Sequence, residues 1–198
     1  MSIDLRIRLV CVVAALFIIN IMFYRCAKVG APSGGPKDTI PPILIETVPK
    51  NFTKNFSDDE ILLSFNEYLS LKSPRQEVLF SPPIEEKPEI LLKGKDIVVK
   101  FTDELKDSAT YTINFGKAIT DYTEGNPLTN YTFVFSTGQV IDSLYIEGRI
   151  RSAFDLTPPE DPVFMLLYKN LKDSVPLQKP PDYVCKANKE GFFSLNYI

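Results

Sequence analysis

Sixteen prolines, every one after residue 31, exclude long helices from most of this 198-residue chain. A proline inside a helix removes a backbone hydrogen bond and clashes with the preceding turn, at a cost of about 3 kcal/mol. Four pairs are adjacent: Pro41-Pro42, Pro82-Pro83, Pro158-Pro159 and Pro180-Pro181. A chain punctuated in this way folds as short strands joined by rigid turns. Its apolar share of 44% and charged share of 24% are those of a globular protein rather than a disordered one.

Period-2 alternation locates the strands. Residues 43–48 form the first. Residues 60–65 put Ile61, Leu63 and Phe65 on one face, and 77–81 put Val78 and Phe80 together. Residues 89–92 and 96–101 flank Lys93-Gly94-Lys95, a hairpin turn. Residues 110–115 alternate Tyr111, Ile113 and Phe115 inward with Thr110, Thr112 and Asn114 outward. Residues 131–136 repeat this with Tyr131, Phe133 and Phe135. Seven such strands in about 100 residues imply a two-sheet, all-β sandwich of Ig-like type. The only helix-like piece is 70–76, where Pro74 allows one turn at most. With no tryptophan in the chain, there is no Cys-Trp-Cys framework, and packing alone holds the core.

Residue 138 closes this unit. Four further strands follow, at 144–151, 162–168, 182–187 and 192–196, with Asn188-Lys189-Glu190-Gly191 as a turn. Four strands in 139–198 make a small sheet with an open edge, which points to a partial second sandwich and a longer parent protein.

The N-terminus is of a different kind. Arg6 and Arg8 precede residues 9–24, which carry no charge. As a helix this run reaches about 24 Å, short of a hydrocarbon core of roughly 30 Å, so it reads as a signal h-region. Cys26 follows, then a Gly/Pro/Ser tether to residue 38. This order resembles a bacterial lipoprotein signal, and the resemblance implies cleavage after residue 25 and acylation of Cys26. Arg25 departs from the small residue usual before that cysteine, and leaves open an uncleaved single-pass anchor. Loss of Arg6, Arg8, Arg25 and Asp4 would shift the net charge from −3 to −5. Such a chain is not drawn to anionic lipid by charge, so the acyl groups would hold it to the membrane.

Six motifs recur in order: Asp38-Thr39-Ile40-Pro41-Pro42, Pro49-Lys50-Asn51, Leu63-Ser64-Phe65-Asn66-Glu67, Thr110 through Gly116 (TYTINFG), Glu124-Gly125-Asn126-Pro127-Leu128, and Phe135-Ser136-Thr137-Gly138. The series resembles the SbsA-type bacterial Ig-like domain over residues 39–138. The opening cysteine with SGGPKDTIPP resembles Ig-like lipoproteins of Bacteroidota. The strands of 139–198, with Glu147-Gly148-Arg149-Ile150 and the Glu190-Gly191-Phe192-Phe193 turn, are similar to carboxypeptidase regulatory-like, transthyretin-like domains. That family is a structural accessory module, so the likeness implies no peptidase activity.

Chemistry-bearing residues are few. The chain has no histidine, which excludes Ser-His-Asp and Cys-His mechanisms and His-ligated zinc. Cys185, the one thiol left unmodified after processing, has no base to activate it. The carboxylates of Asp58-Asp59-Glu60 and Glu85-Glu86 flank strands and read as solvating charge, not as a glycosidase pair. The oxygen-rich loop 120–126 reads as turn chemistry rather than a calcium site. No cofactor or metal is expected. Asp followed by Ser or Thr and a small aliphatic residue resembles the O-glycosylation signal of exported Bacteroidota proteins, at Thr39, Ser108, Ser143 and Ser174. Tyr24, Tyr68, Tyr122 and Tyr183 fall outside the alternation, and Tyr68 and Tyr122 are the candidate ligand contacts.

The composite expectation is a non-catalytic, lipid-anchored envelope protein, placed at the outer membrane, acting as a structural or binding module. Its partners are the membrane through Cys26 and envelope proteins or glycans, with no nucleic acid, because no basic stripe exists. The alternative is an accessory region of a longer glycan- or peptide-processing enzyme.

Overall fold

The computed structural model describes residues 3–23 and 35–198. Tyr24, Arg25, Cys26 and the tether up to residue 34 lie outside the described residues. Residues 1–37 and Asp38–Ile198 form two units. In the first, α1 (Ile3–Phe23) exposes Leu9, Val10, Val13 and Phe17. Among the described residues, no helix is long and apolar enough to cross a membrane.

The second unit is built of strands. They are β1 (Leu44–Val48), β2 (Glu60–Phe65), β3 (Leu69–Leu71), β4 (Leu79–Ser81), β5 (Glu89–Lys93), β6 (Asp96–Lys100), β7 (Thr110–Asn114), β8 (Ile119–Asp121) and β9 (Thr132–Ser136). After these come β10 (Tyr145–Arg149), β11 (Phe164–Leu167), β12 (Tyr183–Lys186) and β13 (Phe192–Asn196). One sheet has the order β1-β2-β6-β5 and the other β4-β7-β9, while β3 and β8 pair alone.

Register explains the core. Antiparallel pairing sets Ile61 opposite Val99 and Leu63 opposite Ile97 in the first sheet. It sets Tyr111 opposite Phe135 and Ile113 opposite Phe133 in the second. All eight are buried, so the alternating faces read from sequence meet between the sheets. The sandwich is closed by a switch. After β1 the chain crosses over, and residue Thr53 pairs parallel with Phe135 of β9. Asn51 fastens the crossing: its Oδ1 accepts the Val134 N–H at 2.7 Å and the Phe52 N–H at 3.0 Å. Asn114 does the same work at the end of β7, accepting the Gly116 N–H at 2.8 Å and donating to Thr132 Oγ1 at 3.1 Å.

Three expectations need correction. The 70–76 turn lies at Pro74–Glu77 (α2), with Pro74 starting the helix rather than interrupting it, and this shortens the 77–81 strand to β4. Tyr183 is buried in β12. Thr110 is buried too, because the Asp142 N–H reaches over the strand to its Oγ1 at 2.9 Å.

Residues 139–198 form two antiparallel ribbons, β10-β13 and β11-β12. They pack on the sandwich within the one compact unit. The buried Val184 N–H donates to Ser81 Oγ at 3.0 Å, Lys186 lies 3.6 Å from Glu77, and the Tyr197 ring meets Phe52 edge-on at 5.8 Å. Ser81→Ala orphans the Val184 N–H and is expected to cost about 1–2 kcal/mol in urea unfolding. Faster hydrogen exchange at the Val184 amide should accompany the loss. Unchanged exchange there would mean that this contact does not join the two parts.

Candidate functional site

Tyr68 and Tyr122 are 54 positions apart in sequence and adjacent in the fold. The short β3-β8 ladder sets Leu69 opposite Asp121, and one residue beyond it the Tyr122 N–H donates to the Tyr68 carbonyl at 3.0 Å. Both rings stand in solvent, 65% and 75% exposed. The β5-β6 hairpin comes alongside through the Leu69 N–H, which points to the Gly94 carbonyl at 3.4 Å. Gly94 has φ +68°, the left-handed value that a two-residue turn asks of glycine. The turn delivers Lys95, whose Nζ donates to the Asn66 carbonyl at 2.8 Å and sits 5.5 Å from the centre of the Tyr68 ring.

The result is a shallow groove of about 510 Å³, lined by the two tyrosines with Leu69, Leu92, Glu67 and Lys95. The last four were not singled out from sequence. Their signals were the Asn66-Glu67 pair just before Tyr68 and the Lys-Gly-Lys turn, but only strand pairing shows that these meet.

The electrostatics are acidic. Partial burial, then the charges of Asp121, Asp38 and Glu124, raise the Glu67 carboxyl above its usual range, and Lys95 works against them. Glu67 accepts no hydrogen bond among the described residues. Asp121 behaves oppositely. It is buried, which disfavours its charge, but the N–H groups of Gly125, Asn126 and Glu124 outweigh this and lower its pKa. Their distances are 2.9, 2.7 and 2.6 Å. Its oxygens are therefore spent on the turn itself. Asn126 in the same loop donates through Nδ2 to the Asp38 carbonyl at 3.1 Å, tying two of the motifs together. Among the described residues, no cluster of three or more potential ligands is placed to hold a metal ion.

The other candidates lie elsewhere. Thr39, Ser108, Ser143 and Ser174 are all exposed and outside strands. Asp58, Asp59, Glu60, Glu85 and Glu86 are exposed on the surface. Burial pushes the Cys185 thiol up to about 11, despite a hydrogen bond with the Ser194 backbone. A thiol so shifted is protonated at neutral pH and is not a nucleophile.

Comparison with known families matches residues 38–137 to the bacterial Ig-like domain. No curated protein sequence matches the chain. Domains of the matched family are generally non-catalytic, and an Ig-like domain is consistent with a structural or binding module. The match spans just over half of the chain and coincides with β1 through β9, so the protein belongs to the bacterial Ig-like domain family.

Proposed function

We propose that this protein is an exported, lipid-anchored cell-envelope module of the Bacteroidota lipoprotein type. Its Ig-like domain is held off the outer membrane by the tether before residue 38 and serves in adhesion or scaffolding. The observation that carries this reading is the order of parts. A basic start, an uncharged helical run and Cys26 precede a domain of a family whose members are usually extracellular or envelope-exposed. The helical part of the uncharged run, from Leu9 to the end of α1, reaches about 22 Å, too short to span a bilayer and suited to a cleaved signal. Residues 139–198 serve as a carboxypeptidase regulatory-like β region. Exposed Tyr145, Phe164, Leu166 and Phe192 support its reading as a partial sheet.

The test is the intact mass of membrane-extracted protein, wild type against Cys26→Ala. The expected mass is that of residues 26–198 plus acyl chains, and the variant should lose both the acyl mass and most membrane retention. A full-length unmodified mass would overturn the lipid anchor. Arg25 favours that outcome, an uncleaved anchor carrying the same ectodomain. The same spectra read Thr39, Ser108, Ser143 and Ser174. Glycan mass at these sites is expected from the native host, and a single unglycosylated species rejects it.

A further inference from the structure

We propose that the groove between Tyr68 and Tyr122 binds a neutral pyranoside, its apolar face stacked on the exposed rings and its hydroxyls bonded by Glu67 and Lys95. This rests on the reading of the domain as a binding module and names the ligand class for it.

Three features carry the proposal. The first is the pair of rings. Large aromatic side chains usually bury themselves, yet these two remain 65% and 75% exposed on backbone held by the β3-β8 ladder. A ligand stacking there covers apolar area without having to order the scaffold. The second is the division of chemistry. A pyranose has an apolar face and a hydroxyl rim. The groove likewise sets tyrosine rings, Leu69 and Leu92 beside one carboxylate and one ammonium. Glu67 is unbonded among the described residues, and Lys95 keeps donors beyond the one given to Asn66. About 510 Å³ lies in the range of small-ligand sites and accommodates one or two sugar rings.

The third is charge. Asp38, Asp121 and Glu124 surround Glu67, so uronic acids, phosphates and nucleic acids meet repulsion. Peptide capture by strand addition is disfavoured at the same place. The Leu69 and Tyr122 N–H groups already bond the Gly94 and Tyr68 carbonyls, so these two are not free to pair with an added strand.

The experiment is an amide NMR titration of the intact 198-residue chain in a phosphocholine detergent, which carries no sugar. The probes are cellobiose and chitobiose, with glucuronate as the anionic control and a hexaproline peptide as the alternative occupant. Saturable shifts are expected at Tyr68, Gly94 and Tyr122 with a neutral disaccharide, and none with glucuronate. Tyr68→Ala and Tyr122→Ala should each weaken binding about fivefold or more, and Tyr122→Phe should retain it. No saturable shift with either disaccharide up to about 50 mM overturns the proposal, as does equal binding by the double alanine variant. Saturation by hexaproline alone also overturns it. Those failures leave the anchored module standing. Release of free monosaccharide during the titration would instead overturn the non-catalytic reading.

Discussion

Phe135→Ala is expected to cost about 3–5 kcal/mol of folding stability, the most damaging single truncation in the sandwich. The ring is fully buried at the meeting point of both sheets and of the crossed-over segment. Phe56 lies 4.5 Å away between centroids, Tyr111 stacks on it at 5.4 Å, and Phe101 meets it edge-on at 5.8 Å. Its backbone also pairs with Thr53, so the neighbours cannot collapse into the space without moving the switch that closes the sandwich. With no disulfide among the described residues to take up the loss, the melting temperature should fall by about 10 °C. Tyr122→Ala, at an exposed ring, should leave the same melt within about 0.5 kcal/mol of wild type. A loss below about 1 kcal/mol for Phe135→Ala would mean that the aromatic cluster is not the packed centre of the fold.

The same cluster marks where sequence reading succeeds. Strands β2, β6, β7 and β9 run over five or six residues, long enough for period 2 to pick out their inward residues, although Val98 of β6 and Val134 of β9 are buried on the opposite face as well. The pattern finds Phe133 and Phe135 without knowing which strand they face. It does not find β3 and β8, because three residues are too few to carry a period. Thr110 and Tyr183 fail for another reason. Their burial comes from chain about 30 and 100 positions away, through Asp142 and through the packing of β12 on β4. The groove shows both limits. Tyr68 and Tyr122 stand out because they break alternation, while Glu67 and Lys95 join them only through pairing between distant segments. Motif residues that resembled a family signature turn out to be fasteners: Asn51 and Asn114 each satisfy backbone N–H groups at a crossing or turn, and Asp121, from the oxygen-rich loop, does the same.

Asp121 makes that last point testable through pH. Its lowered carboxyl pKa contributes stability above the unfolded value of about 3.9. That contribution is lost as pH falls through the lower folded value. Glu67 has the opposite sign. Its raised pKa means that ionisation near neutral pH destabilises the fold, and acidification through that value relieves the strain. Melting temperature should therefore rise slightly as pH drops just above the usual carboxylate range, then fall steeply below it. Glu67→Gln should remove the rise. Asp121→Asn should lower stability at pH 7, because its amide nitrogen would confront the Asn126 N–H, a donor against a donor. Asp121→Ala, which strands all three N–H groups, should lower it further. The gap between wild type and Asp121→Asn should close in strong acid, where the protonated carboxyl has also lost its charge. A gap that stays constant from neutral to strongly acid pH would show that the three short bonds do not depend on the carboxylate's charge. Closure of the gap would establish the 121–126 turn as a charge-held clasp at the end of the sandwich that carries Tyr122.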